Sequence, residues 1–223
     1  MLFIVFDFSL SSQNKQTTAH SAALCAIKRK MRTIKDELLK YNPSFSEKEI
    51  EDGLLLFEEK EFKANSLISE AGEICNYIFF AETSITRCFY IDNDGKEQTL
   101  WMKPENAFIT EYKSFVNQEK SQFSLQFYED TKVLMISRKN LLHLYNQSKN
   151  WSLFGILLTE KIHVKLIDVF VNLLSNDATR NYQYIEYAFP RFIQVAPLKD
   201  IASMLQISQV SLSRIRAGSQ LKK

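Results

Sequence analysis

The stretch Leu198 to Ile215, LKDIASMLQISQVSLSRI, decides how the C-terminal part of the chain folds. Its apolar positions fit two short helices that cross through a tight turn. Ile201 and Leu205 face inward from the first helix. Ala202 stands where the two helices come closest, and a larger side chain there would push them apart. Ile207 is the apolar turn residue, Ser208 suits the N-cap of the second helix, and Leu212 and Ile215 bury its inner face. The turn position that often holds Gly is Gln206 here, and a left-handed Gln meets that demand at modest cost.

The outer face of the second helix carries Gln209, Val210, Ser211, Ser213, Arg214 and, one turn edge further, Arg216. Arg makes two hydrogen bonds to guanine in the major groove, and Gln does likewise with adenine. Ser208 and the other serines, with the helix N-terminus, suit phosphate. A plain solvated face is the competing reading, but a helix that merely packs would place apolar residues at Gln209, Ser213 and Arg214. The plan therefore predicts double-stranded DNA as a partner, contacted by Ser208, Gln209, Val210, Ser211, Ser213, Arg214 and Arg216. Eight residues follow Ile215, too few for a β-hairpin wing, so Lys222 and Lys223 are expected to reach the phosphate backbone.

Upstream, Trp151 to Leu174 is the longest helical pattern, with no Gly or Pro between Ile156 and Leu174. Leu153, Ile156, Leu157, Glu160, Val164, Ile167, Val171 and Leu174 recur at three- and four-residue steps, all apolar except Glu160. That is either a seam of about three heptads for pairing two helices or an ordinary helix lying on a β-domain. Asn176-Asp177 ends it, and Arg180 to Gly218 is compactly helical.

Before Arg138 the period is that of strands. Cys75 to Tyr90, Glu97 to Met102, Gln122 to Tyr128 and Lys132 to Ser137 are short runs rich in Ile, Phe, Tyr, Val and Thr. Turn signals part them: Ala71-Gly72-Glu73, Asp92-Asn93-Asp94-Gly95 and Lys103-Pro104-Glu105-Asn106, with Asp94-Gly95 a strong hairpin signal. Such spacing predicts an antiparallel barrel or sandwich. Earlier still, Arg32 to Tyr41 and Ser46 to Phe57 show helical spacing, the second opening with a Ser46–Glu49 capping box. Glu47, Glu49, Glu51 and Asp52, and then Glu58, Glu59 and Glu61 beside Lys60, read as a solvated helix face. Residues 1–30 are a leader, either a disordered extension or an over-called start with translation beginning at Met31, and carry no assigned function.

The 223 residues, 45% hydrophobic and 24% charged, are those of a soluble globular chain of one large or two ordinary domains. The apolar run Met1 to Phe6 is too short to cross a bilayer and lacks the basic flank of a secretory signal, so no membrane partner is expected. Three cysteines, Cys25, Cys75 and Cys88, with no CxxC spacing indicate a reducing compartment, the cytoplasm. The net charge of +2 is unevenly spread: residues 31–136 hold 12 basic and 20 acidic side chains, residues 137–223 hold 12 and 5. A basic C-terminal part suits a polyanion. No GxSxG, Walker or HExxH motif occurs, and His20, His143 and His163 share no ligand spacing, so neither an enzyme nor a catalytic or metal site is expected.

In order of parts, and most sharply in IASMLQISQVSLSRIR and FYIDNDGKEQTL, about residues 33–218 resemble the Crp/Fnr family of bacterial transcription regulators. The resemblance implies an α+β chain. A cupin-like, cyclic-nucleotide-binding-domain-like antiparallel β jelly-roll would occupy 31–150, a dimerisation helix 151–176 and a helix-turn-helix domain 177–223. It further implies a homodimer, of the family's wingless, shortened subgroup. The family's phosphate-binding cassette would run through FITEYKSFVNQEKSQF, making Thr110, Glu111, Ser121 and Gln122 the effector-binding candidates. Glu111 matches the ribose-binding acid. Thr110 stands where the family has Gly, and Ser121-Gln122 where it has Arg-Ser, so a buried phosphate would lack its bidentate partner. Lys120 is expected to point to the other face of a strand. Ser84 replaces a frequent strand-turn Gly. These departures argue against cyclic AMP.

Three scattered cysteines do not suit the family's iron–sulfur sensor. His163 or Cys75 as a haem ligand is a remote option, because a lone helical His is far more often a surface residue. No cofactor is expected. The reading is a dimeric DNA-binding regulator whose β-domain senses an unidentified small-molecule effector. The alternative is a cupin-like small-molecule-binding protein whose C-terminal helices only pack. A third reading removes the ligand and leaves the β-domain for dimerisation or for contacting RNA polymerase.

Overall fold

The computed structural model describes residues 33–220, so the leader and the two terminal lysines singled out above lie outside the described residues. Residues 33–41 form α1, followed by α2 (Glu47–Leu54). The strands β1 (Glu58–Phe62), β2 (Leu67–Ser69), β3 (Tyr77–Ala81), β4 (Thr86–Ile91), β5 (Glu97–Lys103) and β6 (Ala107–Ile109) come next. A short helix α3 (Tyr112–Asn117) precedes β7 (Ser124–Phe127) and β8 (Thr131–Ser137). The remainder is α4 (Arg138–Gln147), α5 (Lys149–Ser175), α6 (Ala178–Ala188), α7 (Pro190–Val195), α8 (Leu198–Met204) and α9 (Gln209–Gln220).

The strands pair antiparallel in two four-stranded sheets, ordered β1-β8-β3-β6 and β2-β7-β4-β5. Cys75, Phe79, Cys88, Leu125, Phe127 and Val133 fill the space between the sheets. The expected run Cys75 to Tyr90 is two strands. Residues 82–85 carry the chain from the first sheet to the second, with Ser84 and Ile85 fully buried at the corner. The β4–β5 connection closes as the hairpin signal requires. Gly95 has φ +76°, and Asp92 Oδ1 accepts the Asp94 and Lys96 amides, both at 2.9 Å.

Two local expectations fail. α2 starts at the capping box, with the Glu49 N–H donating to Ser46 Oγ at 3.2 Å and the Ser46 N–H to Glu49 Oε2 at 3.0 Å. It ends at Leu54 rather than Phe57, because the Leu56 and Phe57 amides turn back onto the Gly53 and Leu54 carbonyls. Glu58, Glu59, Lys60 and Glu61 then form not a helix face but β1, an exposed edge strand paired with β8. Charged side chains on an edge keep it from pairing with another chain.

The outer face of the first sheet is covered by helices. Ile34 and Leu38 of α1, Ile50 and Leu54 of α2, Leu141 and Leu144 of α4, and Trp151, Phe154 and Leu158 of α5 join Ile78, Phe80 and Ile136 in one core. A third core holds the C-terminal helices. Tyr182, Ile185, Phe192, Ile201, Ala202, Leu205 and Leu212 pack together with Ile85, Met102 and Tyr128 of the β-domain. Among the described residues no helix is long and apolar enough to cross a membrane.

Candidate nucleic-acid interface and effector cassette

Ile201 and Ala202 of α8, Leu205 in the turn and Leu212 of α9 are buried against one another, the positions at which the sequence placed its inward residues. Gln206 has φ +56°, the left-handed conformation the turn demands. That conformation lets the Gln206 N–H donate to the Ser203 carbonyl at 3.0 Å and the Ile207 N–H to the Ala202 carbonyl at 3.0 Å. Ser208 Oγ then accepts the Ser211 N–H at 3.1 Å, satisfying one of the free amides at the start of α9.

Of the seven residues assigned to DNA, Ser208, Gln209, Val210, Ser213 and Arg214 are exposed, and Ser211 and Arg216 are half-buried. Val210 and Arg214 lie on the side of α9 opposite Leu212, Ser211 and Ser213 flank that side, and Gln209 and Arg216 fall nearer to Leu212. The arrangement is a helix presenting hydrogen-bonding side chains in its first turn and one exposed guanidinium, Arg214, at its middle.

The docking of these helices on the β-domain was not legible in sequence. Arg87 of β4 is 2% exposed and donates from Nη1 to Asp200 Oδ1 of α8 at 2.6 Å. Its Nη2 donates to Glu97 Oε2 at 2.8 Å and to Gln126 Oε1 at 3.0 Å. The guanidinium lies 4.0 Å over the Phe89 ring. The other Asp200 oxygen accepts the Tyr128 hydroxyl at 2.9 Å. Burial, with the Asp200 carboxylate alongside, pushes the Tyr128 hydroxyl well above its ordinary range, so it stays a donor. Around this centre the Thr99 N–H donates to Ser203 Oγ at 2.7 Å, and Arg191 of α7 pairs with Glu129 at 2.8 Å.

α5 is two-faced. Trp151, Phe154 and Leu158 are in the core, whereas Ile156, Glu160, Val164, Ile167, Val171 and Leu174 are exposed, with Leu153 and Leu157 half-buried. Leu166 and Phe170, which the heptad reading did not include, widen the bare apolar surface. Apart from Glu160 the exposed positions of this stripe are apolar, unlike the singly scattered apolar residues of an ordinary surface.

The cassette is wound more tightly than its sequence suggested. Glu111 is buried and caps α3, its carboxylate accepting the Lys113 and Ser114 amides at 3.2 and 2.9 Å. Thr110 Oγ1 donates to the Tyr77 carbonyl at 2.9 Å, and Ser121 Oγ to the Phe123 carbonyl at 2.8 Å. Gln122 is exposed. Glu111, Ser121 and Gln122 line a cavity of about 100 Å³, room for a few waters rather than for a nucleotide. Lys120 lines the same cavity, a correction to the expected strand geometry: residues 118–123 form no strand, so the alternation of faces does not apply. A larger open groove of about 630 Å³ lies between Tyr112 of α3, Tyr145 of α4 and Ile156, Thr159 and His163 of α5.

Cys75 is buried, with its Sγ 3.4 Å from Thr110 Oγ1, and His163 is exposed on α5. Among the described residues no group of three or more His, Cys, Asp or Glu is placed to hold a metal.

Residues 59–148 match the cyclic nucleotide-binding domain family. No curated protein matches the sequence. Among solved structures, the catabolite activator protein of Thermus thermophilus is 18% identical, over 83% of this chain and 87% of that one, with a TM-score of 0.51. FixK2 of Bradyrhizobium japonicum is 14% identical over 74% and 85% of the two chains, with a TM-score of 0.61. The c-di-GMP-responsive global regulator CLP of Xanthomonas campestris is 14% identical over 79% and 93%, with a TM-score of 0.58. At these identities the likeness is one of fold.

Proposed function

We propose that this chain is a sequence-specific DNA-binding transcription regulator of the Crp/Fnr type. It works as a homodimer paired along the exposed stripe of α5, with α8 and α9 as a helix-turn-helix. The observation that carries the reading is the outer face of α9: Gln209, Ser213 and Arg214 project to solvent from a helix whose position is fixed by the Gln206 turn and the buried Leu212. Two copies would set two such helices about one DNA turn apart, roughly 34 Å, on a near-palindromic site. An effector in the β-domain would act by shifting the population between two dimer arrangements.

Thr110, Glu111, Ser121 and Gln122 remain the candidate effector residues, and the effector is a small molecule other than cyclic AMP. Nothing lining the cassette cavity supplies the guanidinium that a buried cyclic phosphate needs. The seat of α8 on β5 favours the alternative, a small-molecule-binding protein whose C-terminal helices only pack. The polar exposed face of α9 weighs against it.

The test is a salt titration of purified protein on random duplexes, then selection and sequencing of the bound fraction. A steep salt slope with an enriched inverted repeat is expected. Absence of enrichment, both alone and with cell extract supplying an effector, would overturn the reading and leave the small-molecule-binding protein.

A further inference from the structure

Arg87 and Asp200 are buried charges on opposite sides of the contact between the second sheet and α8, at 2% and 3% exposure. Removing a guanidinium and a carboxylate from water is unfavourable unless each neutralises the other, so the pair holds only when both are in place. Arg87 has a second carboxylate in Glu97, but that group is 37% exposed, whereas Asp200 meets Arg87 in the dry contact. Arg87 Nε has no acceptor, so Asp200, the two partners of Nη2 and the Phe89 ring carry the compensation.

Beside Glu97 of β5, which meets Arg87 alone, one strand of the second sheet leads to both ends of the pair. β7 leaves the Ser121 loop, brings Gln126 to Arg87, and leads directly into Tyr128, which donates to Asp200. Both ends of the ion pair are thus bonded to residues on one short segment beginning at the candidate effector cassette.

We propose that Arg87–Asp200 is an all-or-none latch that seats α8, and with it α9, on the second sheet, and that β7 is the segment through which the cassette reaches the latch. With both charges present the C-terminal helices are held as one body with the sheet. Loss of Asp200 leaves the buried Arg87 with only the partly exposed Glu97, and loss of Arg87 leaves Asp200 with no counter-charge; either is relieved by lifting α8 away. A shift of β7 strains two hydrogen bonds to the pair together, and a packed contact of this kind answers by switching rather than by bending. The consequence for DNA rests on the function proposed above; the latch itself does not.

The test is amide hydrogen exchange on the full chain, comparing the parent with Arg87→Met, Asp200→Leu and the double variant. Each single variant is expected to speed exchange in α8 and α9 at least about tenfold while β3 and β8 stay protected. The double variant, which removes both charges, is expected to bring protection back to near the parent. Unchanged α8 exchange in the single variants, or a double variant as released as they are, would overturn the latch. Where a single variant loses β3 and β8 protection as well, Tyr128→Phe decides, since it removes one hydrogen bond to Asp200 and no charge. It should speed α8 exchange selectively, by about three- to tenfold, and no selective change there would overturn the proposal. The role of β7 is read from Gln126→Ala, expected to act on α8 as Tyr128→Phe does; an unaffected α8 removes β7 from the path. Failure of the parent to select any DNA would sink the proposed function and leave this exchange pattern untouched.

Discussion

Gly53 of α2 lies against the indole of Trp151 on α5 so closely that a Cβ at that position would overlap the ring. The indole Nε1–H donates to the Glu49 carbonyl at 3.2 Å, one turn earlier on the same helix. Two helices almost a hundred residues apart are thereby held with only the indole between their backbones.

Gly53→Ala is expected to destabilise the protein. Helix propensity alone favours Ala by about 1 kcal/mol, but forcing a methyl into a buried indole costs about 1–3 kcal/mol. The change at Gly218, where a Cβ would meet open space, should be neutral or stabilising by up to about 1 kcal/mol. Urea midpoints with unchanged slopes measure both. A raised midpoint for Gly53→Ala would contradict the close approach.

Gln206 stands at φ +56° between α8 and α9. Gln206→Gly removes the Cβ penalty of that conformation and is expected to stabilise by about 0.5–1 kcal/mol, while Gln206→Val should destabilise by about 1–2 kcal/mol. Thermal unfolding followed on the C-terminal helices reads the sign, and equal effects from Gly and Val would refute the left-handed turn.

Glu160 interrupts the exposed apolar stripe of α5. Glu160→Leu is expected to tighten self-association at least about tenfold, by adding apolar burial and removing two like charges from one interface. Ile167→Glu should weaken it comparably. Sedimentation equilibrium measures both, and an unchanged constant in the two variants would place the seam elsewhere.

Arg214 is the exposed guanidinium of the proposed reading face. Arg214→Ala should lose about 1–3 kcal/mol on the selected operator, with the far-ultraviolet spectrum and midpoint unchanged. Equal affinity of variant and parent for that operator would remove Arg214 from base contact.

Glu49 accepts hydrogen bonds from the Ser46 amide and hydroxyl and from Asn150 and Ser148, which lower its carboxyl from the ordinary 4.5 to about 2. A carboxyl depressed in the folded state contributes stability that is present above the unfolded value and is lost as pH falls from there towards about 2. Glu49→Gln should therefore flatten the loss of stability between about pH 5 and pH 2. A parent and variant with parallel acid curves would show that Glu49 does not drive the transition.

What the sequence determined by itself is local. The Ser46–Glu49 box starts α2, Asp94-Gly95 closes the β4–β5 hairpin, Gln206 takes the left-handed turn and Ser208 caps α9. Each depends on groups within a few residues of one another, whose conformational demands are the same in any fold that contains them. The apolar stripe of α5 was legible for a similar reason, since helical spacing alone puts those residues on one face.

Only the tertiary structure decided the rest. β1 carries four charged residues and has no strand-like pattern. It is a strand because β8 offers a free edge for its backbone to pair with. Ser84 and Ile85, set inside an apparently continuous strand, are a corner because the chain must pass there from one sheet to the other. The pairing of Arg87 with Asp200 spans 113 positions, and nothing near either residue announces it. A buried charge is tolerated only where the fold brings its counter-charge, and that meeting is a property of two surfaces packed together rather than of either stretch of sequence.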